Sequence, residues 1–161
     1  MMRLRQREVG FTIIELLVVM AILGILAAAV MPLGETLVRA QQERELRRAL
    51  WEIRDAIDEY KHAVDAGAIV VKEGQPHYPP TLDALVTGFP DARPDAHGRH
   101  LYFLRQIPRD PLAEPSLTAE KTWRLRSYAS PPDKPAPGTD VYDVHSSSDD
   151  IGLDGSPYAK W

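Results

Sequence analysis

Hydrophobic residues are concentrated near the beginning of the chain. Residues 11–33 read FTIIELLVVMAILGILAAAVMPL, and Glu15 is the single charged residue among them. A run of about 20 apolar residues is long enough to cross a bilayer as one helix. The ten preceding residues carry three arginines against a single Glu8. This bias predicts a cytoplasmic N-terminus and an exported remainder.

After residue 33 the hydrophobic pattern changes from continuous to periodic. Apolar residues then recur at alternating spacings of four and three, which predicts an amphipathic helix over residues 34–66. The residues of this stripe are Leu46, Leu50, Ile53, Ile57, Tyr60 and Val64. The opposite face is dense in charge, and we interpret it as a solvated face, with pairing between subunits as the alternative. Glu43 and Arg47 on it are spaced to pair across one turn. Gly67 predicts the end of a helix that begins at about residue 12.

Residues 67–161 are predicted to form a globular head with shorter elements. Thr81 can cap a short helix over residues 82–86. Alternating apolar and polar residues predict an antiparallel pair of strands at 123–128 and 141–146. The predicted fold class is therefore α+β, with a long N-terminal helix, half apolar and half amphipathic, packed on a small antiparallel sheet.

Three other stretches of the head have weaker patterns. Residues 68–71 are short and apolar, which is consistent with a strand or an extended link. Prolines and a glycine predict a loop over residues 89–99. The apolar run at 101–104 is compatible with either a helix or a strand.

Composition and charge exclude several classes of protein. The 19 basic and 23 acidic residues give a net charge of −4, which argues against a nucleic-acid-binding protein. No cysteine is present, so a disulfide framework and a thiolate metal site are excluded. His97 and His100 form a close histidine pair, but no obvious carboxylate lies at the spacing of a metal site. We therefore do not predict a zinc site there. Phosphate loops, dinucleotide turns and nucleophile elbows are absent, and we predict that the protein is not an enzyme.

Glu15 does not suit a plain membrane anchor. A carboxylate within hydrocarbon costs about 2.5–3.5 kcal/mol on insertion scales. A cut after Gly10 would place a new α-amino group on Phe11, four residues before Glu15. That amine, or preferably the amine of a neighbouring subunit, could neutralise the carboxylate. Two alternatives remain open at this point: an uncleaved single-pass anchor, and a secretory signal peptide cut after Ala29.

The N-terminal pattern resembles a known processing signal. Residues 10–15 read GFTIIE, after a basic leader and before an apolar helix, and are similar to the class III signal of type IV pilins and type II secretion pseudopilins. In that family a prepilin peptidase cuts after the glycine and methylates the new N-terminal phenylalanine. The resemblance implies that residues 1–10 are a leader and that Gly10 and Phe11 are processing residues. It also implies that Phe11 and Glu15 act in assembly.

Three residues weaken the apolar part of the predicted helix. Pro32 removes a backbone hydrogen bond and kinks a helix, and Gly24 and Gly34 lower the helix propensity nearby. In filaments of the family resembled here, the segment between the positions that match Gly24 and Pro32 can lose helicity on packing. The resemblance therefore adds Gly24 and Pro32 to the assembly residues.

Three motifs in the head narrow the resemblance to the major pseudopilin family of type II secretion. Residues 78–85, YPPTLDAL, look like the tyrosine-proline and short-helix element of that family. Residues 107–111, IPRDP, are similar to its leucine-proline-x-aspartate-proline turn. Residues 142–146, YDVHS, match its aromatic-aspartate-apolar-x-serine strand. A final tryptophan is also shared.

In that family a calcium ion, held by carboxylates and backbone carbonyls, orders the final loop of the head. The resemblance makes Asp149, Asp150 and Asp154 the candidate ligands, since carboxylate oxygens suit Ca²⁺. The loop departs from the family pattern, because residues 146–152 are compressed and residues 153–160 are additional. The alternative is that the aspartates make local turn hydrogen bonds.

The resemblance implies a structural function for the protein. The chain would be stored as a single-pass protein in the inner membrane with its head in the periplasm, cleaved, and polymerised into a periplasmic pseudopilus through its apolar helices. Implied partners are further copies of the chain, minor pseudopilins, the prepilin peptidase, an inner-membrane assembly platform and its ATPase. The alternatives are a type IV pilin, a minor pseudopilin, or a membrane-anchored or secreted binding domain that does not polymerise.

Overall fold

The structure is a computed structural model that describes residues 10–161, with the backbone alone described at residues 29–33. The described chain is α+β, as the sequence predicts. Two compact units divide it, one within residues 1–39 and one formed by residues 40–161. The hydrophobic core lies in the second unit, which contains all the described strands.

Helix α1, Ile13–Asp65, is the longest element of the chain. The predicted single helix is confirmed, and its backbone is helical through Pro32 without interruption. It ends at Asp65, two residues before Gly67, where φ is 71° and the left-handed conformation favours glycine. The amide of Gly67 donates to the carbonyl of Val64 at 2.9 Å, which helps close the last turn.

The second half of α1 buries its predicted apolar stripe. The six stripe residues are between 0% and 7% exposed, and Ala49 and Ala56 extend the same face. The stripe packs in one cluster with apolar residues of the head, among them Leu82, Trp123 and Val144. Fully burying a side chain of this size contributes about 1.5–3 kcal/mol. The head is therefore assembled on this half of the helix.

The short predicted helix is present as α2, Leu82–Thr87. Thr81 caps it, because its hydroxyl accepts a hydrogen bond from the amide of Ala84 at 3.2 Å. Strand β1, Phe89–Pro90, follows and pairs antiparallel with β2, His100–Leu101. The loop predicted over residues 89–99 is therefore wrong at its first two residues, where cross-strand pairing prevails over the proline signal.

The predicted antiparallel pair is confirmed but shorter at both strands. Strand β3, Trp123–Arg126, pairs with β4, Asp143–Ser146, with Trp123 opposite Ser146. Two 3₁₀ turns occupy Ala119–Thr122 and Tyr158–Lys160. Residues 68–71 form no described strand, which leaves the extended link.

Asp110 joins the proline turn of the head to the strand pair. Its side chain is fully buried and accepts hydrogen bonds from the hydroxyl of Ser146 at 2.6 Å and the amide of Ser147 at 3.2 Å. It also accepts one from the amide of Leu112 at 2.8 Å. A buried carboxylate requires such partners. The aspartate and serine of two separate sequence motifs therefore meet in space.

Candidate functional site

Helix α1 begins with a reciprocal pair of hydrogen bonds between Thr12 and Glu15. The hydroxyl oxygen of Thr12 accepts from the amide of Glu15 at 3.3 Å, and Oε2 of Glu15 accepts from the amide of Thr12 at 3.5 Å. This arrangement is a capping box, which pairs two amides that the helix leaves without partners. Sequence analysis missed the role of Thr12, although a threonine three residues before a glutamate at the start of an apolar run indicates it.

The predicted processing residues precede the helix and are accessible. Gly10 is exposed and non-helical, and the side chain of Phe11 is 81% exposed. An exposed, non-helical peptide bond is the kind that a protease can reach. Phe11 and Glu15 line one shallow groove together with Leu16, Val19 and Met20. The structure therefore places the predicted amine-bearing residue and the predicted carboxylate on one face.

The described large apolar side chains at the beginning of α1 are all exposed. All twelve large apolar residues between positions 11 and 26 are between 49% and 83% exposed. A continuous apolar surface of this extent normally marks a surface for a partner or a membrane. Gly24 lies within it and is exposed, and Pro32 follows in the helical backbone. Within the described residues, no helix combines the length and the apolar content of a membrane-spanning segment.

The predicted pair between Glu43 and Arg47 is replaced by contacts with the head. Glu43 is buried, and its carboxylate accepts from the amide of Leu153 at 2.6 Å. Arg47 instead donates to Asp154 at 3.2 Å. The interpretation of Glu43 as part of a solvated face is therefore wrong. Its position three residues before Leu46, in register with the apolar stripe, is the sequence signal that indicates burial.

The three candidate calcium ligands are engaged separately. Asp149 accepts a hydrogen bond from Arg124 at 2.8 Å, which lowers the pKa of its carboxyl. Asp154 accepts from the hydroxyl of Ser156 at 2.6 Å, and this bond lowers its pKa.

Across residues 10–161 no three histidine or acidic side chains are grouped to hold a metal ion. Calcium takes about six to eight oxygen ligands, which include backbone carbonyls, and these three carboxylates are not placed to supply such a set together. Asp150 joins the loop through its carbonyl, which accepts from the amide of Tyr158 at 3.1 Å.

Comparison with known proteins first defines the class. The family model of the prokaryotic N-terminal methylation motif matches residues 5–31, which include Gly10, Phe11 and Glu15. The chain therefore carries the N-terminal signal that pilins and pseudopilins share.

The particular family follows from a match over most of the chain. The chain is 33% identical over 118 residues to type II secretion system core protein G of Aeromonas hydrophila, and the alignment covers 69% of this chain and 72% of that protein. The chain belongs to this family, and the predicted resemblance to type II pseudopilins is confirmed. No solved structure matches the chain.

Proposed function

We propose that the protein is a structural, non-catalytic subunit of a periplasmic pseudopilus of a type II secretion system. The chain is held in the inner membrane by a single pass over residues 11–33 until it is assembled. Cleavage between Gly10 and Phe11 then releases it for polymerisation with further copies of itself. Minor pseudopilins, an assembly platform and its ATPase are the partners that this function requires.

The observation that carries the proposal is the exposed apolar half of α1 beside its methylation motif. Every large apolar side chain described between residues 11 and 26 needs a cover, and the head occupies the stripe of the other half. Lipid covers such a surface before assembly, and the same helices of neighbouring subunits cover it afterwards. One surface thus serves both as an anchor and as an assembly interface.

Glu15 supplies specificity to this packing. Apolar helices can slide against one another, whereas a single carboxylate in hydrocarbon requires a partner at a defined height. The α-amino group of Phe11 in a neighbouring subunit is that partner. Pairing the two sets the stagger between subunits along the filament axis.

The first test is the mass and N-terminal sequence of the protein recovered from membranes of its own host. We expect a chain that begins at Phe11 and carries one added methyl group. A chain that begins at Val30 would contradict the proposal, because the apolar segment would have been removed as a signal peptide. An uncut chain in a host with an active prepilin peptidase would contradict it as well.

The second test separates the charge of Glu15 from its capping bond. Glutamine at this position keeps the capping box, whereas valine removes both the bond and the charge. We expect both Glu15→Gln and Glu15→Val to insert and be cleaved but to yield little sedimentable filament. Glu35→Gln and Glu35→Val are the matched controls, since Glu35 is exposed on the same helix. Wild-type filament yield in Glu15→Gln would refute the pairing role.

Electron microscopy of the sedimented material distinguishes the remaining classes. Short periplasmic filaments support a pseudopilus, and long surface filaments would indicate a type IV pilin. A cleaved, methylated protein that forms filaments only with another subunit would indicate a minor pseudopilin. A protein that never polymerises would indicate an anchored binding domain.

A further inference from the structure

Glu43 connects α1 to the C-terminal segment of the head, residues 147–161. Its Oε1 accepts hydrogen bonds from the amide of Leu153 at 2.6 Å and from the hydroxyl of Tyr158 at 2.9 Å. Glu43 and Tyr158 are both buried. Removing one member of such a group leaves buried polar atoms without partners, which is more costly than losing an exposed contact. A single helix residue therefore holds two points of the segment.

Arg54 makes the second connection, to partners that lie 89 to 107 residues away along the chain. Its Nη2 donates to the main-chain oxygen of Trp161 at 2.7 Å and to that of Val144 at 3.0 Å. Its Nε donates to the carboxylate of Asp143 at 2.8 Å. One guanidinium thus links the helix, strand β4 and residue 161.

Arg47 makes the third connection at the rim of the segment. Its guanidinium lies 4.1 Å from the centre of the Trp161 ring, a cation–π contact, and donates to Asp154. Both contacts are partly exposed and contribute less than those of Glu43. Glu43, Arg47 and Arg54 are called the helix clamp below.

The segment is also closed on itself by contacts among its own residues. The indole N–H of Trp161 donates to the hydroxyl of Ser156 at 2.6 Å, and Ile151 pairs with Pro157. A Cβ at Gly152 would lie 2.6 Å from the Trp161 ring, so the ring packs directly on the backbone. These contacts fix the path of the chain from residue 151 to residue 161.

Cationic side chains already lie beside two carboxylates that a cation would neutralise. Arg124 pairs with Asp149, and Arg47 pairs with Asp154. A Ca²⁺ ion bound to both aspartates would compete with both pairs and would need about six to eight oxygens at one point. Two of the three candidate carboxylates are therefore already paired with guanidinium groups of the same chain.

We propose that the helix clamp orders residues 147–161 in place of calcium. The segment is held by Glu43, Arg47 and Arg54 of α1, and its order does not depend on a divalent cation. This inference concerns the head alone and stands apart from whether the apolar half of α1 forms filaments.

The test uses the full chain in detergent micelles, compared in CaCl₂ and in EGTA. Hydrogen exchange of the peptide 147–161 and the melting temperature are measured in both. A bound ion at high occupancy would raise the melting temperature by several degrees and slow exchange in this peptide. We expect the two conditions to give the same exchange and the same melting temperature. Faster exchange in EGTA that CaCl₂ reverses would overturn the proposal.

Two variants test the clamp itself. Glu43→Ala removes both hydrogen bonds, and Tyr158→Phe is a milder change that removes one hydroxyl. We expect each variant to accelerate exchange in peptide 147–161, with no recovery on adding CaCl₂. Glu52→Ala and Tyr102→Phe are the matched controls, because both residues are exposed in the same unit. Clamp variants that exchange like their controls would show that the clamp does not hold the segment, and recovery with CaCl₂ would show that an ion does.

Discussion

The two halves of α1 have similar helical backbones and opposite surroundings. Between residues 11 and 26 the large apolar side chains are exposed, whereas the stripe from Leu46 to Val64 is covered by the head. Each half also has a carboxylate that lies among apolar residues, Glu15 in the first half and Glu43 in the second. Glu43 has two donors from residues of the same chain, and Glu15 bonds the first turn of its own helix. Folding of the head therefore buries the apolar side chains of the second half, whereas those of the first half need a partner to cover them.

The largest expected difference comes from removing the same apolar volume in each half. Ile57 is 1% exposed and Ile25 is 71% exposed. Ile57→Ala should lower the free energy of unfolding of the head by about 2–5 kcal/mol, because it leaves a cavity. Ile25→Ala should leave that free energy within about 0.5 kcal/mol of wild type and reduce filament yield instead. Urea titration and filament sedimentation of both variants check this, and equal effects on unfolding would contradict the comparison.

Substitution of Glu43 should likewise affect the stability of the head more than substitution of Glu15. Glu43→Ala is expected to destabilise the head by about 1–3 kcal/mol, since it strands the amide of Leu153 and the hydroxyl of Tyr158. Glu15→Ala should leave the melting temperature of the head unchanged. Calorimetry of both proteins measures the difference. A head destabilised by Glu15→Ala would mean that the first half contributes to folding of the second.

Loss of the capping box should lower stability only slightly, and only in the first turn of α1. Thr12→Ala is expected to cost about 0.5–2 kcal/mol of stability in the first turn of α1, because the amide of Glu15 loses its acceptor. Hydrogen exchange of residues 12–17 in detergent should accelerate, while the head peptides keep their wild-type rates. Thr12→Ser, which retains the hydroxyl, is the control. Faster exchange throughout the chain would contradict a local effect.

The smallest expected effect is a pH dependence confined to the head. Burial lowers the pKa of His145, with Arg54 and Arg126 acting in the same direction and Asp143 opposing them. The folded state therefore binds a proton less readily than the unfolded chain. The contribution of neutral His145 to stability is fully present above its unfolded pKa of about 6.5. It is lost as the pH falls toward the lower pKa of the folded state.

Thermal melts at several pH values test this dependence. The melting temperature should decline modestly as the medium becomes more acidic than the unfolded histidine pKa. His145→Gln should flatten that part of the profile, whereas His100→Gln, at an exposed position of β2, should leave it unchanged. An unaltered slope in His145→Gln would assign the pH dependence to other groups.

Sequence patterns that extend over only a few residues predict much of the fold. The helix, its end just before Gly67 and the cap at Thr81 follow from residues within a few positions of one another. The β3–β4 pair was predicted from alternation, but its ends were not. The pairing of β1 with β2 was missed, because strands of two residues carry no periodicity.

The sequence alone determined the parts of this protein whose physics is local. The processing signal, the apolar segment with its one carboxylate, and the buried stripe are all set by spacing along one helix. Only the tertiary structure decided which charged side chains of the helix bond to the head. Glu43 meets Leu153 across 110 positions, and Arg54 meets Trp161 across 107. Spacing cannot predict such contacts, since they exist only once the head has packed against the helix.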